Sequence, residues 1–332
     1  MPVSVGRRKV VSLLGGAVIA WPLAARAQQQ PAIPIVGWLH SGTAIQSSQN
    51  AAAFRLGLSE NGFAEGKGVV IEYRWAENRL DRLPALADDL VRRSVAVIAA
   101  CGNPAAALAA KSATTSIPIV FENGADPVQL GLVQSLNHPG GNVTGFTNMS
   151  VELAAKRMGV LRELAPGAKS IAVLVNPTRP GSDAQIAQVQ EAARTIGLSV
   201  HVMKAASERE IDAAVPALVQ SGAGGLVMTA DVFFNERKDQ IVALTRRFAV
   251  PTIYEFRAFV DAGGLVSYGP DIFASYRQAG LLVGRILKGE KPRDLPVMRP
   301  TKFELIINVK AAKALGIEVP NSMQLLADEV IE

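Results

Sequence analysis

The sequence has few of the residues on which redox, metal or nucleotide chemistry depends. Its 332 residues include a single cysteine, Cys101, so no internal disulfide can form. The three histidines, His40, His138 and His201, are far apart and share no metal-ligand spacing. The glycine-rich segment Gly222–Gly225 precedes a predicted strand, whereas a dinucleotide fingerprint follows one. We therefore expect neither a metal nor a cofactor.

Catalytic signatures are also missing. No G-x-S-x-G segment supports a Ser/His/Asp hydrolase. An amino-acid racemase that uses two cysteines is excluded because only Cys101 is present. Cys101 stands at the end of an apolar run, where a small core residue is expected more than a nucleophile. We predict no catalytic residues and no enzymatic activity.

The basic excess of the chain is concentrated at its N-terminus. The formal net charge is +5, and residues 1–27 contain Arg7, Arg8, Lys9 and Arg26 but no acid. Without that segment the net charge falls to about +1. A nucleic-acid-binding domain needs a basic face, so we expect no nucleic-acid partner.

Residues 1–27 have the pattern of an export signal peptide. Arg7–Lys9 precede the apolar run Val10–Leu23, and Ala25–Ala27 form an A-x-A cleavage site. The run is short for a membrane span. We predict a periplasmic protein that begins at Gln28. The paired arginines favour the twin-arginine route; the Sec route and an uncleaved anchor are the alternatives.

The chain is longer than one average domain, and a repeated pattern indicates two lobes. An apolar run at Val95–Cys101 stops at Gly102–Pro104, an alanine-rich helical segment follows, and a second apolar run occupies Ile117–Phe121. Strands that are apolar on consecutive residues are typical of a parallel sheet covered on both faces. The same order returns at Gly225–Glu255. The sequence therefore predicts two similar α/β lobes.

Ligands of open α/β sheets bind beyond the carboxyl ends of the strands, so the candidate ligand-binding residues are those at the predicted strand ends. They are Ser41, Gly42, Gly102, Asn103, Asn123 and Asp126 in the first lobe, Asn176, Asp231, Tyr254 and Glu255 in the second, and Tyr268 in a later strand.

Each candidate has a role in ligand binding and a structural alternative. Ser41 and Asn103, beside exposed backbone N–H groups, suit a carboxylate, whereas carboxylate side chains such as Asp231 suit an ammonium group. Tyr254 and Tyr268 would supply an aromatic wall. The same residue types also cap helices, form turns or pack in cores. Arg179 could clamp an anion, but we favour a solvated loop arginine.

Four segments of the sequence are distinctive: Asn137–Gly145, Asn176-Pro177, Gly264–Gly269 and the closing Ala327–Glu332. Together they resemble the ABC-transporter substrate-binding family that includes tryptophan- and tyrosine-binding proteins. The resemblance implies the type I periplasmic binding protein fold, in which two Rossmann-like lobes joined by three crossovers close on a ligand. It implies no catalysis.

On this fold we expect lobe one to comprise residues 33–146 and 267–296, and lobe two residues 147–266 and 297–332. The crossovers are predicted at Gly145–Asn148, Ser267–Gly269 and Leu295–Arg299. The segment Phe303–Leu315 should pack on lobe two. Gly102-Asn103 should face Asp231 across the cleft, because each lobe presents the carboxyl edge of its sheet to the other.

The function expected from this resemblance is that of an exported, monomeric solute-binding protein. Its partners would be a small polar or zwitterionic ligand, perhaps an aromatic amino acid, and an ABC permease in the inner membrane. A sensory protein for a membrane partner and an enzyme on the same fold are the alternatives. A DNA-binding regulator of this fold is disfavoured because the predicted signal peptide stands where its DNA-binding headpiece would be.

Overall fold

The computed structural model describes residue 1 and residues 33–149 and 153–332, so the predicted signal peptide lies, apart from Met1, outside the described residues. The strands in chain order are β1 (Ile35–His40), β2 (Val70–Trp75), β3 (Val97–Cys101), β4 (Ile119–Asn123), β5 (Val143–Thr147), β6 (Ser170–Val175), β7 (Ser199–Lys204), β8 (Leu226–Met228), β9 (Thr252–Tyr254), β10 (Val266–Gly269), β11 (Glu304–Asn308) and β12 (Glu329–Ile331).

The helices connect these strands and cover the sheets that they form. In chain order they are α1 (Ser48–Glu60), α2 (Leu83–Arg92), α3 (Pro104–Ala113), α4 (Ala154–Leu164), α5 (Ser182–Thr195), α6 (Glu208–Gln220), α7 (Val232–Glu236), α8 (Lys238–Arg247), α9 (Arg257–Asp261), α10 (Ile272–Leu287), α11 (Val309–Ala314) and α12 (Asn321–Leu326). Within the described ranges, no helix is both long and apolar enough to cross a bilayer.

Lobe one is built on a five-stranded sheet in the order β2-β1-β3-β4-β5. All of its strand pairs are parallel, and β3 and β4 are buried along their whole length. Helices α1 and α10 pack their apolar residues on one face, and α2 and α3 pack on the other. This double cover explains why the strands are apolar on consecutive residues. Cys101 is part of this core, as predicted.

Lobe two is built on a seven-stranded sheet in the order β12-β11-β10-β9-β8-β6-β7. Its strand pairs are parallel except for β10 with β11, which is antiparallel. Strand β11 and Ala312 of α11 belong to the core of this lobe, which confirms the predicted packing of Phe303–Leu315. Two helices, α7 and α8, connect β8 to β9 and meet at Arg237.

The chain passes between the two sheets three times, and each predicted boundary falls a few residues early. Thr147 still pairs within the sheet of lobe one. Ser267–Gly269 lie inside β10 of lobe two, although we assigned them to lobe one. Val297 is part of the lobe-one core, and the Met298 N–H donates to the Gly145 carbonyl of the same lobe. Strand pairing sets these boundaries, and the apolar pattern alone does not show where a pairing ends.

Helices α1 and α10 approach each other so closely that their contact requires glycine on both sides. A Cβ atom at Gly57 would stand 1.9 Å from the carbonyl oxygen of Arg277, and one at Gly280 would stand 2.1 Å from that of Phe54. Both obstacles are backbone atoms, which do not move aside as a flexible side chain does. The contact joins the first helix of lobe one to the helix that returns after the second crossover.

We therefore predict that Gly57→Ala lowers the free energy of unfolding by about 1–3 kcal/mol, the usual cost of overpacking a well-packed contact. Urea denaturation of the purified protein measures it. The control is Gly159→Ala in α4, where an added Cβ has no neighbour within 4 Å. Because alanine favours a helix interior over glycine, the control should be neutral or stabilising. Equal stability of Gly57→Ala and the wild type would contradict the close helix contact.

Candidate functional site

A cavity of about 120 Å³ lies between the carboxyl edges of the two sheets, and residues of both lobes line it. On the same measure a single water molecule needs roughly 10–15 Å³, so the cavity has room for a ligand of the size of an amino acid. Its charged lining residues are Glu122 from lobe one and Arg179, Asp231, Glu236, Lys238 and Glu255 from lobe two.

Three of the predicted ligand-binding residues line this cavity: Gly102, Asp231 and Glu255. Two more stand directly behind its wall, because Asn103 and Asn176 each have their amide group within hydrogen-bond distance of Asp231. The predicted residues Ser41, Gly42 and Asn123 are buried near the same sheet edge but are not lining residues.

The predicted aromatic wall is wrong for Tyr254. This side chain is fully buried in the lobe-two core, where its ring stacks on Phe259 at 4.8 Å and its hydroxyl lies 2.8 Å from the Thr245 hydroxyl. Burial raises the pKa of Tyr254 to about 12. Successive side chains of a strand point to opposite faces of the sheet, and Tyr254 points into the helix layer. The apolar lining includes Phe256 and Phe259 instead.

Tyr268 and Asp126 also lie outside the cavity. The Tyr268 ring packs beside Phe303, with ring centroids 6.3 Å apart. The Asp126 carboxylate accepts the backbone N–H groups of Val128 and Gln129, at 2.8 and 3.2 Å. Both residues thus have the structural roles that were the alternatives to ligand binding, packing for Tyr268 and turn formation for Asp126.

Asn103 and Asp231 occupy equivalent places in the two lobes and meet across the cleft. Asn103 caps α3 by accepting the Ala105 N–H, and Asp231 caps α7 by accepting the Phe233 N–H. The Asn103 amide nitrogen lies 3.4 Å from the Asp231 carboxylate, and the Asn176 amide donates to it at 3.0 Å. Burial raises the pKa of Asp231, an effect that Asn176 and then the Arg179 charge oppose. Much of the hydrogen-bonding capacity of the Asp231 carboxylate is therefore occupied by groups of the protein itself.

A chain of hydrogen bonds holds Glu122 at the cavity wall. The Gly42 N–H donates to His40 Nδ1 at 3.0 Å, so the proton of this imidazole is on Nε2, which donates to the Tyr276 hydroxyl at 3.0 Å. The Tyr276 hydroxyl then donates to Glu122, and Asn148 donates its amide to Glu122 Oε1 at 3.0 Å. Burial lowers the pKa of His40 to about 3, so the ring is neutral. The chain orients an acid toward the ligand space.

Burial raises the pKa of Glu122 to about 8, and the nearby Glu255 charge adds to this effect. The hydrogen bonds from Asn148 and Tyr276 oppose it. Glu122 therefore carries a proton at neutral pH. A cationic group of a ligand would favour the charged form, because an opposite charge nearby stabilises a carboxylate.

Two buried arginines balance the acids. Arg179 is only 5% exposed and lines the cavity, so the solvated arginine that we favoured is wrong. Burial lowers the pKa of Arg179, while the charges of Asp231 and Glu255 raise it. Arg157 is fully buried and donates its Nε–H to the Tyr268 carbonyl at 2.8 Å. The site thus holds a guanidinium group of lobe two and a carboxyl group of lobe one.

Sequence reasoning did not identify Glu122, Asn148, Arg157, Glu236 or Tyr276 as site residues. One signal was available for Glu122. It directly follows the apolar run Ile117–Phe121, just as the predicted site residue Glu255 directly follows the corresponding run of the repeated unit. Helix residues such as Arg157 and Tyr276 gave no such signal.

The described residues offer little for metal or thiol chemistry. Among residues 33–149 and 153–332, no group of three His, Cys, Asp or Glu side chains is placed to hold a metal ion. Burial raises the pKa of the Cys101 thiol well above its ordinary value. Because the thiolate is the reactive form of cysteine, Cys101 is a poor nucleophile.

Comparison with known proteins gives the family. The family model described as "ABC transporter substrate binding protein" matches residues 46–331. The chain belongs to this family. The fold of this substrate-binding protein is the type I periplasmic binding protein fold, as predicted.

Three relatives are informative. The "Tyrosine-binding protein" of Clostridioides difficile (strain R20291) is 28% identical over 262 residues, which cover 79% of this chain and 74% of the relative. An ABC domain in complex with L-Trp from Streptococcus pneumonia is 26% identical with a TM-score of 0.79. A ligand-free, open substrate-binding protein with adhesive properties from Clostridium difficile is 25% identical with a TM-score of 0.64. Each of the two solved matches covers 90% of this chain and 99% of the other.

The buried Glu122 carboxyl predicts a specific pH dependence of stability. Its pKa is about 8 in the folded protein against an ordinary value of 4.5. The stabilisation is fully present below pH 4.5 and is lost as the pH rises toward 8, because only the unfolded chain gives up the proton readily. The melting temperature should therefore fall between pH 5 and 8, through a linkage of the order of a few kcal/mol.

Glu122→Gln should remove this contribution to the pH dependence of stability, since the amide mimics the protonated acid and does not titrate. Melting temperatures of both proteins at several pH values measure it, with the exposed Glu163→Gln as the control variant. Parallel curves for Glu122→Gln and the wild type would show that Glu122 is ionised throughout.

Proposed function

We propose that this protein is the exported receptor of an ABC importer and that its ligand is a free amino acid with a large apolar or aromatic side chain. The observation that carries this proposal is that a buried carboxyl group of lobe one, Glu122, and a buried guanidinium group of lobe two, Arg179, line the same small cavity. It has a periplasmic location, acts as a monomer and delivers its ligand to a permease in the inner membrane.

The charges suit a zwitterion. Arg179 offers a guanidinium fork for the ligand carboxylate, a pairing that is often bidentate and strong. Glu122 and Glu255 offer carboxyl oxygens for the ligand ammonium group. With Glu122 protonated, the remaining acids Asp231, Glu236 and Glu255 are matched in number by Arg157, Arg179 and Lys238. A ligand without net charge therefore adds no unbalanced charge to a buried site, where such a charge is costly.

The apolar part of the lining suits a large side chain. Phe256, Phe259, Ile272, Phe273 and Tyr276 all contribute to the cavity wall. Aromatic pairs in stacked or edge-to-face contact contribute about 0.5–1.5 kcal/mol beyond the burial of their area. The tyrosine-binding relative and the relative solved with L-Trp support an aromatic amino acid.

A thermal-shift panel of the common amino acids tests this proposal. L-tryptophan, L-tyrosine or L-phenylalanine should raise the melting temperature, because a ligand at 100 times its Kd stabilises the folded state by about 2.7 kcal/mol. Arg179→Gln should weaken binding by calorimetry about ten- to hundredfold, the loss of a charge-assisted hydrogen bond of about 1.5–3 kcal/mol.

The matched control is Arg209→Gln on the exposed start of α6, which should bind like the wild type. If no amino acid in the panel shifts the melting temperature, the proposed ligand class is wrong. Normal affinity of Arg179→Gln would instead remove Arg179 from the carboxylate site.

Export is tested separately. We expect the double variant Arg7→Lys, Arg8→Lys to leave the precursor in the cytoplasm if the twin-arginine route is used. Immunoblots of cytoplasmic and periplasmic fractions measure it, and N-terminal sequencing of the mature protein should begin at Gln28. An undiminished periplasmic fraction in the double variant would indicate the Sec route.

A further inference from the structure

One carboxylate of lobe two is held entirely by donors of lobe one. Glu236, the last residue of α7, accepts the Thr43 N–H at 2.7 Å and the Thr43 hydroxyl at 3.2 Å. It also accepts the Asn78 side-chain amide at 2.5 Å and the Ser47 hydroxyl at 3.4 Å. Glu236 is 8% exposed. We call Thr43, Ser47 and Asn78 together the lobe-one socket.

The lobe-one socket is built within its own lobe. The turn after β2 is tied to the loop after β1, because the Asn78 N–H donates to the Ser41 carbonyl at 2.8 Å and the Glu77 N–H donates to the Gly42 carbonyl at 3.2 Å. Asn78 has a φ of 60°, a left-handed conformation that asparagine tolerates better than most residues. Asn78 is thus positioned by contacts within lobe one.

Gly42 packs closely against the Glu236 carboxylate. A Cβ atom at Gly42 would stand 2.3 Å from Glu236 Oε1 and 2.8 Å from a methyl group of Val232. The three nearest atoms to that position all belong to Glu236 and Val232, which are residues of lobe two. The nearest obstacles to a side chain at this position therefore come from the other lobe.

We propose that Glu236 is a positioning residue for ligand capture: seated in the lobe-one socket, its carboxylate latches the two lobes together and sets how tightly a ligand is retained. The proposal deepens the proposed function, since it concerns closure over the same cavity. The closed arrangement itself can be measured without any ligand.

The latch matters because a ligand shifts an open–closed equilibrium only by its differential affinity for the two forms. When only a fraction of the protein is closed, the apparent affinity is reduced by that fraction. The four hydrogen bonds to Glu236 are made by uncharged donors of the other lobe, so separation of the lobes would break them. They raise the closed fraction before a ligand arrives. In addition, this structure superposes better on the L-Trp complex than on the open, ligand-free relative.

The first test measures the distance between the lobes in the ligand-free protein. Spin labels on Asp81→Cys in lobe one and Ala206→Cys in lobe two report it, since both positions are exposed and the buried Cys101 is shielded from the label. The parent protein should show a short-distance population. This population should fall about tenfold or more in Glu236→Ala, as expected for the loss of hydrogen bonds to a charged group.

Gly42→Ala provides an independent variant, because it keeps the Glu236 carboxylate but places a methyl group where that carboxylate contacts lobe one. It should also lose the short-distance population. Asp239→Ala, an exposed acid two residues into α8, is the matched control and should keep it. Melting temperatures of all variants separate a shift between folded forms from a loss of folding. If Glu236→Ala and Gly42→Ala keep the parent distances, or if the parent shows no short-distance population, the latch does not exist.

The second test uses L-tryptophan as the probe. Dissociation of the amino acid should be about ten- to hundredfold faster from Glu236→Ala, with little change in the association rate, because closure mainly governs release. An unchanged dissociation rate would overturn the role in retention. Failure of L-tryptophan to bind even the parent protein would contradict the proposed ligand, and the ligand-free distances would still decide the latch.

Discussion

The burial of charge between the two lobes is the constraint on which the rest of the site depends. A charged group taken out of water is costly unless it is paired and hydrogen-bonded. Here Glu122, Asp231 and Arg179 are buried within one small cavity, and each has its pKa shifted by burial first and by its neighbours second. In this arrangement of the lobes the Arg179 charge lies near those of Asp231 and Glu255, and the same arrangement would suit a zwitterionic ligand.

The repeated fold supplies the geometry that this constraint requires. In both lobes a parallel sheet ends in polar residues at its carboxyl edge, and the helix that follows begins there. Asn103 and Asp231 cap such helices in their own lobes and meet each other across the cleft at 3.4 Å. A single arrangement therefore satisfies the exposed N–H groups of two helices and joins the lobes. It also explains why Asn103 and Asp231, which were predicted from their position to bind a ligand, serve as helix caps.

Closure connects the site with the dynamics of the protein. Glu236 of lobe two contacts the lobe-one socket and fits closely against Gly42, so these contacts depend on the two lobes being together. If the proposed latch exists, the ligand adds its own contacts to those by which Glu236 already favours closure. Affinity then depends on two quantities, the contacts made inside the cavity and the stability of the latch.

The sequence by itself determined the features that depend on neighbouring residues. Consecutive apolar residues predicted buried parallel strands, the repeated unit predicted two lobes, and the strand-end residues Gly102, Asp231 and Glu255 do line the cavity. Only the tertiary structure decided the direction of the Tyr254 side chain, the burial of Arg179 and the hydrogen-bond partners of Glu236. One of these partners, Thr43, is 193 residues away from Glu236 in the sequence. The physical reason is that apolar patterning acts over a few residues, whereas charge burial and hydrogen-bond partners depend on how distant segments come together.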